Sequence, residues 1–380
     1  MNIALLLRSF SGRNGISRMV LAHAREFSRL GHETHIYSAL TQLTAAERAA
    51  LPRGVHLHGF PCLRGSARIW TIPIGALRPY LGSHDIIVSH LLTIWQDVAV
   101  MHNDPQLVEA DKLSAAPFTI CPPRLNSRNR AVRTFIERQR FRPGRYKRVV
   151  ALSERSSSEI SQACGVPRAA ISVIRHGVDP EHFSKEYRRN ARSGARNSLG
   201  LSPEDLVFLY IGDSWKGLEF AIRGAAAGGP KGRTVLLAAG PFRAEPFEEL
   251  ARGAGLRLIT SPGGGDVRDL YSACDVFLSP TPLDTFNLSA LEAMAMGVPP
   301  VISKYAGLSE LLSDGENALV LDRPFETETI ACAADKLASP GTRAALGERA
   351  AALARTLTWE KPAADHLRLY ADILGLRHAG

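Results

Sequence analysis

The sequence has few cysteines, and their spacing is not that of a disulfide framework or a zinc site. The five cysteines are odd in number and far apart, and no CxxC pair occurs among them. The sequence therefore indicates neither a small secreted protein held by disulfides nor a structural zinc domain. Buried thiols in a reducing compartment are the interpretation that this pattern favours.

Long hydrophobic runs are also missing. The apolar segment IALLL near the N-terminus is too short to span a bilayer and has no charged leader, which is typical of a buried strand rather than a signal peptide. No other segment is apolar over the length that a transmembrane helix needs. The chain has 380 residues, 45% of them hydrophobic, so we expect a large soluble, cytoplasmic protein of two domains.

Acidic residues are scarce in one part of a chain whose formal net charge is +9. Between Arg124 and Arg148, Glu137 is the only acidic residue among many arginines. Such a basic run fits an anionic lipid surface, an acidic substrate or nucleic acid, and a solvated helix face is a nearly equal interpretation. Because neither interleaved aromatics nor a nucleic-acid module accompanies the run, we expect no nucleic-acid partner.

Strand-like and helix-like segments alternate along the chain. The first series of short aliphatic runs is IALLL, THIYS, DIIVSH, RVVALS and ISVIRHGVD, and the second is LVFLYIG, TVLLAAG, LRLITSP, DVFLSP and PPVIS. Continuous aliphatic or β-branched runs between helices are typical of parallel sheets that are covered on both faces. The pattern predicts an α/β protein with two doubly wound, Rossmann-like domains.

A change in composition suggests where the domains meet. Residues 181–204 are polar, charged and poor in large aliphatic side chains, which is typical of a linker. We therefore predict an N-terminal domain at 1–180 and a C-terminal domain at 205–360. A final helix at about 361–380 is expected to pack back on the N-terminal domain. Two such domains facing each other would bind a ligand at the carboxyl ends of their strands.

One loop in the C-terminal half is predicted to hold an anionic ligand. In PLDTFNLSALEAMAMG, a loop follows a strand and leads into a helix that Asn287 or Ser289 can cap. The first amides of such a helix suit a phosphate or diphosphate. Asp284 and Glu292 can accept hydrogen bonds from ligand hydroxyls, and all these features together fit a nucleotide sugar. Taken alone, Glu292 is better explained as a carboxylate that stabilises the helix dipole.

This stretch resembles the E-x7-E motif of retaining, GT-B-fold glycosyltransferases of family four (glycosyl transferases group 1). Asp284 stands in the place of the first glutamate and Glu292 in the place of the second. Segments along nearly the whole chain agree in order and spacing, among them SRLGHETHIYS, YIGDSWKGLEFAI, GGGDVRDLYSACDVFLSP and TWEKPAADHLRLYADIL. Two further segments, DIIVSHLLTIWQDVAV and RTFIERQRFRPGRYKRVVALSE, are most similar to the lipopolysaccharide core glucosyltransferases.

The resemblance implies an enzyme, a hexosyltransferase whose two Rossmann-like domains face each other across a cleft. A nucleotide-diphosphate sugar, with UDP favoured and GDP the alternative, would donate its sugar with retention of configuration. The acceptor would be a hydroxyl of a glycan or lipid-linked acceptor in the synthesis of lipopolysaccharide or another cell-surface polysaccharide. No cofactor or metal is implied, and the sequence has neither a DxD pair nor a histidine cluster at ligand spacing. The run from Arg124 to Arg148 would dock on the inner face of the membrane.

The same resemblance assigns roles to single residues. Glu292 would hold the ribose hydroxyls, and Asp284 would hold a hydroxyl of the donor sugar. Lys216, in the segment WKG, would neutralise the diphosphate, a role that suits its compact charge. The other donor-binding candidates are residues whose backbone would approach the phosphates, the sugar or the base: Gly15, Phe286, Asn287, Leu288 and Gly265.

A polar residue of the N-terminal domain would face the sugar, and His102 is the candidate for this catalytic role. Asp104 and His90 are the alternatives. A lone histidine is more often a structural residue than a catalytic one. The choice among these side chains is therefore a question for the structure.

Three departures from the family pattern bear on the donor. The arginine that usually precedes the lysine is missing from GDSWKG, so that Arg18 or Arg268 would supply a second positive charge. Asn287 replaces a common glycine and would crowd the sugar pocket, and Asp284 is one methylene shorter than glutamate. The missing arginine leaves open a nucleotide-sugar epimerase or hydrolase of the same fold. The net charge leaves open a non-enzymatic basic binding protein.

Overall fold

The chain forms two compact units, which do not coincide with the boundaries suggested by composition. The computed structural model describes residues 1–11, 15–60, 79, 82, 84–120, 130–261 and 265–376. Unit 1 contains Met1–Glu109, Ser127–Gly177 and Trp359–Gly380, and unit 2 contains Ala110–Asn126 and Val178–Thr358. Unit 2 thus includes residues 110–126, which the sequence analysis assigned to the N-terminal domain.

Among the described residues, unit 1 is built on a seven-stranded parallel sheet. Its strands are β1 (Asn2–Ser11), β2 (Glu33–Gln42), β3 (Val55–Gly59), β4 (Ile86–Ser89), β5 (Val98–Val100), β6 (Arg148–Ala151) and β7 (Ile171–Val173). The sheet order is β3-β2-β1-β4-β5-β6-β7. Alternate residues of β1 pack into cores on opposite faces, Leu5 with Phe27 and Leu6 with Tyr37. Burial on both faces explains why the strands are continuous aliphatic runs.

Unit 2 is built on a second parallel sheet, of six strands in the described part of the chain. The strands are β8 (Leu206–Ile211), β9 (Thr234–Ala239), β10 (Arg257–Ser261), β11 (Val276–Ser279), β12 (Pro300–Ser303) and β13 (Leu319–Leu321). The order β10-β9-β8-β11-β12-β13 changes direction between β8 and β11. The predicted α/β class with two doubly wound domains is confirmed. The short strands β3, β5 and β13 were not predicted, because three to five residues carry too little pattern.

Helices connect the strands in both units. In chain order they are α1 (Gly15–Arg29), α2 (Ala45–Ala49), α3 (Gln106–Ala115), α4 (Arg130–Arg140), α5 (Glu154–Cys164), α6 (Lys185–Ser198), α7 (Leu218–Ala227), α8 (Glu245–Gly253), α9 (Val267–Ala273), α10 (Leu288–Ala295), α11 (Thr327–Lys336), α12 (Pro340–Ala354) and α13 (Glu360–Leu374). α13 packs against α1 within unit 1. None of the helices in the described ranges has the length and apolar character needed to cross a membrane.

The segment 181–204, interpreted from composition as a linker, is largely helical and packs within unit 2. It contains α6, which packs against α9. Arg188, Arg192 and Arg196 of α6 donate to backbone carbonyls around the end of α9. Arg196, which is 5% exposed, also lies 3.3 Å from the Asp275 carboxylate. The polar composition therefore reflects arginines that bind backbone groups of the same unit, and not a solvated connection.

The basic run is neither uniformly solvated nor uniformly buried. Residues 124–129 lie outside the described residues, and α4 forms the next part of the run. Arg140 is buried, and its guanidinium donates to the carbonyl oxygen of Ser89 at 3.4 Å. Glu137 is buried on the same side, and burial raises its pKa to about 7. Phe135, by contrast, is 53% exposed. One side of α4 therefore packs into unit 1, and the other carries an aromatic ring on the surface.

We expect Arg196→Ala to lower the free energy of unfolding by about 3 kcal/mol. The change removes a buried guanidinium donor from the carbonyls of Ala273, Ser202 and Asp205, while Asp275 keeps its contacts with Arg192 and the Val207 amide. Urea denaturation followed by circular dichroism measures the loss.

The matched control is Arg189→Ala, since Arg189 is an exposed arginine of the same helix. Its effect should stay within about 0.5 kcal/mol. Equal losses in the two variants would contradict the buried role of Arg196.

Candidate functional site

The candidate site of unit 2 lies where β8, β9 and β11 end and their turns pack backbone against backbone. A Cβ atom on Gly240 would lie 2.0 Å from the carbonyl oxygen of Gly212. One on Gly217 would lie 2.3 Å from the carbonyl oxygen of Pro280. Only glycine permits these approaches. Open α/β sheets bind ligands at this edge, beside the point where the strand order changes direction, here between β8 and β11.

Two of these turns bring Lys216 and Asp284 together. Lys216 ends the short 3-10 helix after β8, and Asp284 lies in the turn after β11. The lysine Nζ lies 2.7 Å from Oδ2 of Asp284, and the two side chains are 28% and 10% exposed. The lysine stem passes Gly212, where an added Cβ would lie 3.2 Å from its Cδ. A partly exposed ammonium group is therefore held at a fixed position beside a carboxylate.

The loop after β11 is organised by its own polar groups. Oδ1 of Asp284 accepts the Phe286 amide at 3.2 Å. Asn287 has a φ of 80°, and no other non-glycine residue in the described ranges has a positive φ. Its side chain accepts the Ala290 amide at 3.2 Å and donates to Ser279 Oγ at 2.7 Å. Asn287 is therefore the cap of α10, and both polar atoms of its side chain have partners within unit 2.

The N-terminus of α10 is the part of this loop that can bind phosphate oxygens. The amides of Leu288 and Ser289 are the first two of the helix and have no acceptor within it. The Phe286 amide, which the sequence analysis also assigned to the donor, binds Asp284 instead. In this conformation, the predicted anion site therefore consists only of the amides in the first turn of the helix.

Glu292 lies inside the helix that follows and is only 2% exposed. The hydroxyl of Tyr271, on α9, donates to Oε2 of Glu292 at 2.9 Å and lies 3.1 Å from the carbonyl oxygen of Ser289. A buried carboxylate with such a donor is fixed in orientation. Tyr271 was not predicted from the sequence, because an aromatic residue in a buried helix is by itself the pattern of an ordinary core residue.

The remaining candidates of unit 2 have less defined surroundings. Gly265 is exposed, while Gly263 and Gly264 of the predicted glycine loop lie outside the described residues. Arg268, proposed as a substitute for the missing family arginine, forms an ion pair with Asp266 at 2.5 Å. Its guanidinium also lies 4.1 Å from the centre of the Tyr187 ring. Arg268 is thus committed to local partners in this conformation.

Two candidates belong to unit 1. Gly15 begins α1, directly after residues 12–14, which lie outside the described residues. His102 follows β5, and its Nε2 lies 2.9 Å from Nδ1 of His90, which follows β4. The His102 ring also stacks on His176 at 5.6 Å. His102 is therefore not a lone histidine, and the alternative candidate His90 is its hydrogen-bonding partner.

The histidines of unit 1 form a buried cluster that favours the neutral imidazole. Burial lowers the pKa of both His90 and His102 well below 6.5, and neighbouring histidines lower it further. The rings of His23 and His366 extend the cluster at a separation of 4.9 Å, and burial lowers the pKa of His366 to about 4. His102 would thus act as a neutral hydrogen-bonding group. Within the described ranges, no group of three or more His, Cys, Asp or Glu could hold a metal ion.

The histidine cluster predicts a loss of stability in mild acid. The folded state holds His366 neutral while the unfolded state protonates near pH 6.5, so stability is complete above pH 6.5 and falls as the pH drops toward 4. His366→Gln should reduce this slope by about 1.4 kcal/mol per pH unit. Urea denaturation at a series of pH values from 4.5 to 8 measures it.

The control for this prediction is Tyr370→Phe, which removes a hydroxyl 3.2 Å from Nδ1 of His366 but keeps the imidazole. It should change the stability at pH 8 and leave the slope as in the parent. An unchanged slope in His366→Gln would contradict the neutral, buried state of this histidine.

Known families match most of the chain. Residues 13–182 match the family described as Glycosyltransferase Family 4, and residues 205–339 match the family described as Glycosyl transferases group 1. The first match covers most of the sheet of unit 1, and the second covers the sheet of unit 2. Both agree with the resemblance found in the sequence. They do not support the alternatives of an epimerase or a non-enzymatic binding protein.

Individual proteins agree with this assignment. The D-inositol 3-phosphate glycosyltransferase of Actinosynnema mirum is 26% identical over 94% of this chain and 92% of its own length. The crystal structure of WaaG, a glycosyltransferase involved in lipopolysaccharide biosynthesis, has a TM-score of 0.79 at 20% identity, covering 98% of this chain and all of that one. Anabaena Alr3699/HepE in complex with UDP and glucose has a TM-score of 0.72 at 18% identity, with the same coverage. The chain is therefore an enzyme, a glycosyltransferase of the hexosyltransferase class, with the GT-B fold and the sequence features of glycosyltransferase group 1 and family 4.

Proposed function

We propose that this enzyme transfers a hexose from a nucleotide-diphosphate sugar to a hydroxyl of a glycan or lipid-linked acceptor with retention of configuration. The observation that carries the proposal is the placement of Lys216 against Asp284, with the N-terminus of α10 next in the chain. A nucleotide sugar needs a cation and amides for its diphosphate and an acceptor group for a sugar hydroxyl. These are the three kinds of group that the two turns supply.

In the proposed reaction, Lys216 stabilises the negative charge of the leaving group. The bond between the anomeric carbon and the diphosphate oxygen breaks, and the acceptor oxygen bonds to that carbon from the same face. The acceptor proton passes to the departing phosphate. Negative charge grows on that phosphate, and a fixed ammonium group together with helix amides stabilises it. We propose that no metal ion takes part, because these groups supply the charge that a metal would otherwise supply.

Asp284 and Glu292 would fix the donor at its two ends. Asp284 orients Lys216 before the donor binds, and its carboxylate would accept a hydroxyl of the donor sugar. Glu292, held by Tyr271, would accept the ribose hydroxyls. His102, which favours its neutral form, would donate a hydrogen bond to the sugar. The neutral form costs no repulsion with the positive charge that develops on the sugar ring.

We further propose a UDP-sugar donor and a role in the synthesis of lipopolysaccharide or another cell-surface polysaccharide. The likeness to WaaG and to the UDP-bound Alr3699/HepE supports this choice. The similarity to a D-inositol 3-phosphate glycosyltransferase favours a second candidate acceptor, a phosphorylated cyclitol. A phosphorylated cyclitol is anionic, as a phosphorylated lipid-linked acceptor would be, and either agrees with a formal net charge of +9.

Release of nucleoside diphosphate from a panel of UDP- and GDP-sugars tests the proposal. Each donor is offered alone, with a lipid-oligosaccharide extract, or with D-inositol 3-phosphate. Lys216→Ala should lower the rate about 100-fold, because the charge on the leaving group loses its cation. Glu292→Ala should raise the KM for the donor. Lys231→Ala, at an exposed lysine of unit 2, is the control and should act as the parent does.

The outcomes of this assay separate the parts of the proposal. Release from a GDP-sugar alone would overturn the UDP assignment, and dependence on one acceptor would decide between the two acceptor classes. Release in Lys216→Ala at the parent rate would overturn the assigned role of the ion pair.

We also propose that unit 1 docks peripherally, from the cytoplasmic side, on an anionic membrane surface through α4. The support is the exposed ring of Phe135 on the same helix as exposed Arg138, with exposed Arg142 just beyond its end. Leu107, at the start of the neighbouring α3, is exposed as well, and the amide of Gln106 beside it binds Glu137 of α4. Apolar side chains among arginines fit the boundary between headgroups and acyl chains.

Sedimentation with vesicles that contain phosphatidylglycerol tests the docking. The triple variant Phe135→Ser, Arg138→Glu and Arg142→Glu should bind at least about tenfold more weakly, since each basic residue near such a surface contributes about 1 kcal/mol. Arg140 is left intact because it is buried. The control, Arg25→Glu with Arg48→Glu, reverses two exposed charges elsewhere on unit 1. Equal binding of both variants would contradict the docking surface.

A further inference from the structure

A buried carboxylate in unit 2 has no role in the proposed chemistry. Glu219 is the second residue of α7 and is 1% exposed. Its two oxygens accept the backbone amides of Thr119, at 2.9 and 3.1 Å, and of Ile120, at 2.9 Å, and the Thr119 hydroxyl at 2.5 Å. Arg223 donates to both Glu219 and Thr119 at 3.1 Å. A buried charge is tolerated only with such a complete set of donors.

The partner of Glu219 is a short stretch of chain, residues 110–120, which we name the strap. The strap belongs to unit 2 and is separated by about 100 residues in sequence from α7. Apart from the last turns of α3 it has no regular structure, so Glu219 supplies acceptors for amides that no strand or helix satisfies. Phe118 of the strap also packs on Phe220, with ring centres 4.8 Å apart. The strap is thus fixed on unit 2 at a polar and an apolar point.

The strap also packs against the residues that precede Lys216 and Asp284. Leu113 forms a small buried cluster with Trp215 and Leu283, and Phe118 packs against it. Trp215 directly precedes Lys216, and Leu283 directly precedes Asp284. The lysine Nζ lies 5.6 Å from the centre of the Trp215 ring. One leucine of the strap therefore contacts the residues next to both partners of the ion pair.

We propose that the strap is a positioning element for Lys216 and Asp284, with Glu219 fixing the strap and Leu113 transmitting its position through Trp215 and Leu283. The inference rests on the proposed function, in which Lys216 binds the donor diphosphate. Neither Glu219 nor Leu113 touches the donor in this account. Displacing a binding group by about 1 Å costs about 100-fold in rate, so a loosened strap lowers turnover while the fold remains.

Four variants and one matched control test the strap, the fourth being Leu113→Met. Glu219→Gln keeps the size of the side chain but turns an amide donor toward the donors of the strap. Thr119→Val removes only one of these donors, so it serves where Glu219→Gln disturbs folding. Leu113→Ala removes the apolar contact. The control, Leu346→Ala, removes a buried leucine of the unit 2 core that is not part of the cluster of Leu113, Trp215 and Leu283.

The first readout is kinetic, at temperatures where each variant is folded. Glu219→Gln and Leu113→Ala should lower kcat about 10- to 100-fold for the preferred donor, and Leu346→Ala should retain the parent kcat even if its Tm falls as far. Leu113→Met keeps most of the volume of the side chain, so it should retain the parent kcat, unlike Leu113→Ala. Losses of kcat that simply track Tm across all variants would overturn the proposal.

The second readout does not depend on activity and separates failure of the strap from failure of the proposed function. Acetylation of Lys216 by an N-hydroxysuccinimide ester, followed by mass spectrometry, reports how firmly Asp284 holds the ammonium group. The rate should rise several-fold in Glu219→Gln and Leu113→Ala and stay at the parent value in Leu346→Ala. Unchanged labelling in the strap variants would overturn the proposal. Raised labelling with no donor turnover in the parent would retain the strap and reject the proposed function.

Discussion

The close backbone contact between the turns after β8, β9 and β11 is the constraint on which the candidate site depends. A parallel sheet brings the carboxyl ends of its strands to one edge, so residues 68 positions apart, Lys216 and Asp284, meet there. The approach of Gly217 to Pro280 draws the two turns into contact. Any side chain at Gly217 would push the turn that carries the lysine away from the loop that carries the carboxylate. The ion pair is thus a consequence of glycine positions in the sheet edge.

In unit 2, buried polar side chains also stabilise the structure by binding backbone groups. The arginines of α6 satisfy carbonyls around the end of α9, Glu219 satisfies amides of the strap, and Asn287 caps α10 while it holds a left-handed backbone conformation. In each case a polar residue stabilises an irregular segment that carries unsatisfied backbone groups. The turns and loops around the site therefore have defined positions even though they lack regular secondary structure. This order is what an electrostatic site needs, since fixed charges stabilise a developing charge without rearrangement.

Unit 1 uses a different device, a cluster of histidines whose burial favours the neutral form. The hydrogen bond between His90 and His102 and the stacking on His176 restrict the ring of His102. A histidine that stays neutral can bind a sugar hydroxyl without adding positive charge. The cost appears as sensitivity of the fold to acid, because the unfolded chain gains protons that the folded chain excludes. The proposed role of His102 and the acid sensitivity that His366 contributes therefore depend on one cluster of buried imidazoles.

The sequence by itself determined the two doubly wound sheets, the strand and helix alternation, the start of α10 near Asn287 or Ser289 and the pair of carboxylates around it. These features are local, because burial on both faces of a strand and the chemistry of a helix cap are written in consecutive residues. Tertiary structure alone decided that 181–204 is a packed helix, that Tyr271 holds Glu292, and that residues 110–120 join unit 2. Each of these depends on which polar groups face each other across elements that are distant in the chain. Composition records that a segment is polar, but only the fold decides whether water or a buried backbone group is its partner.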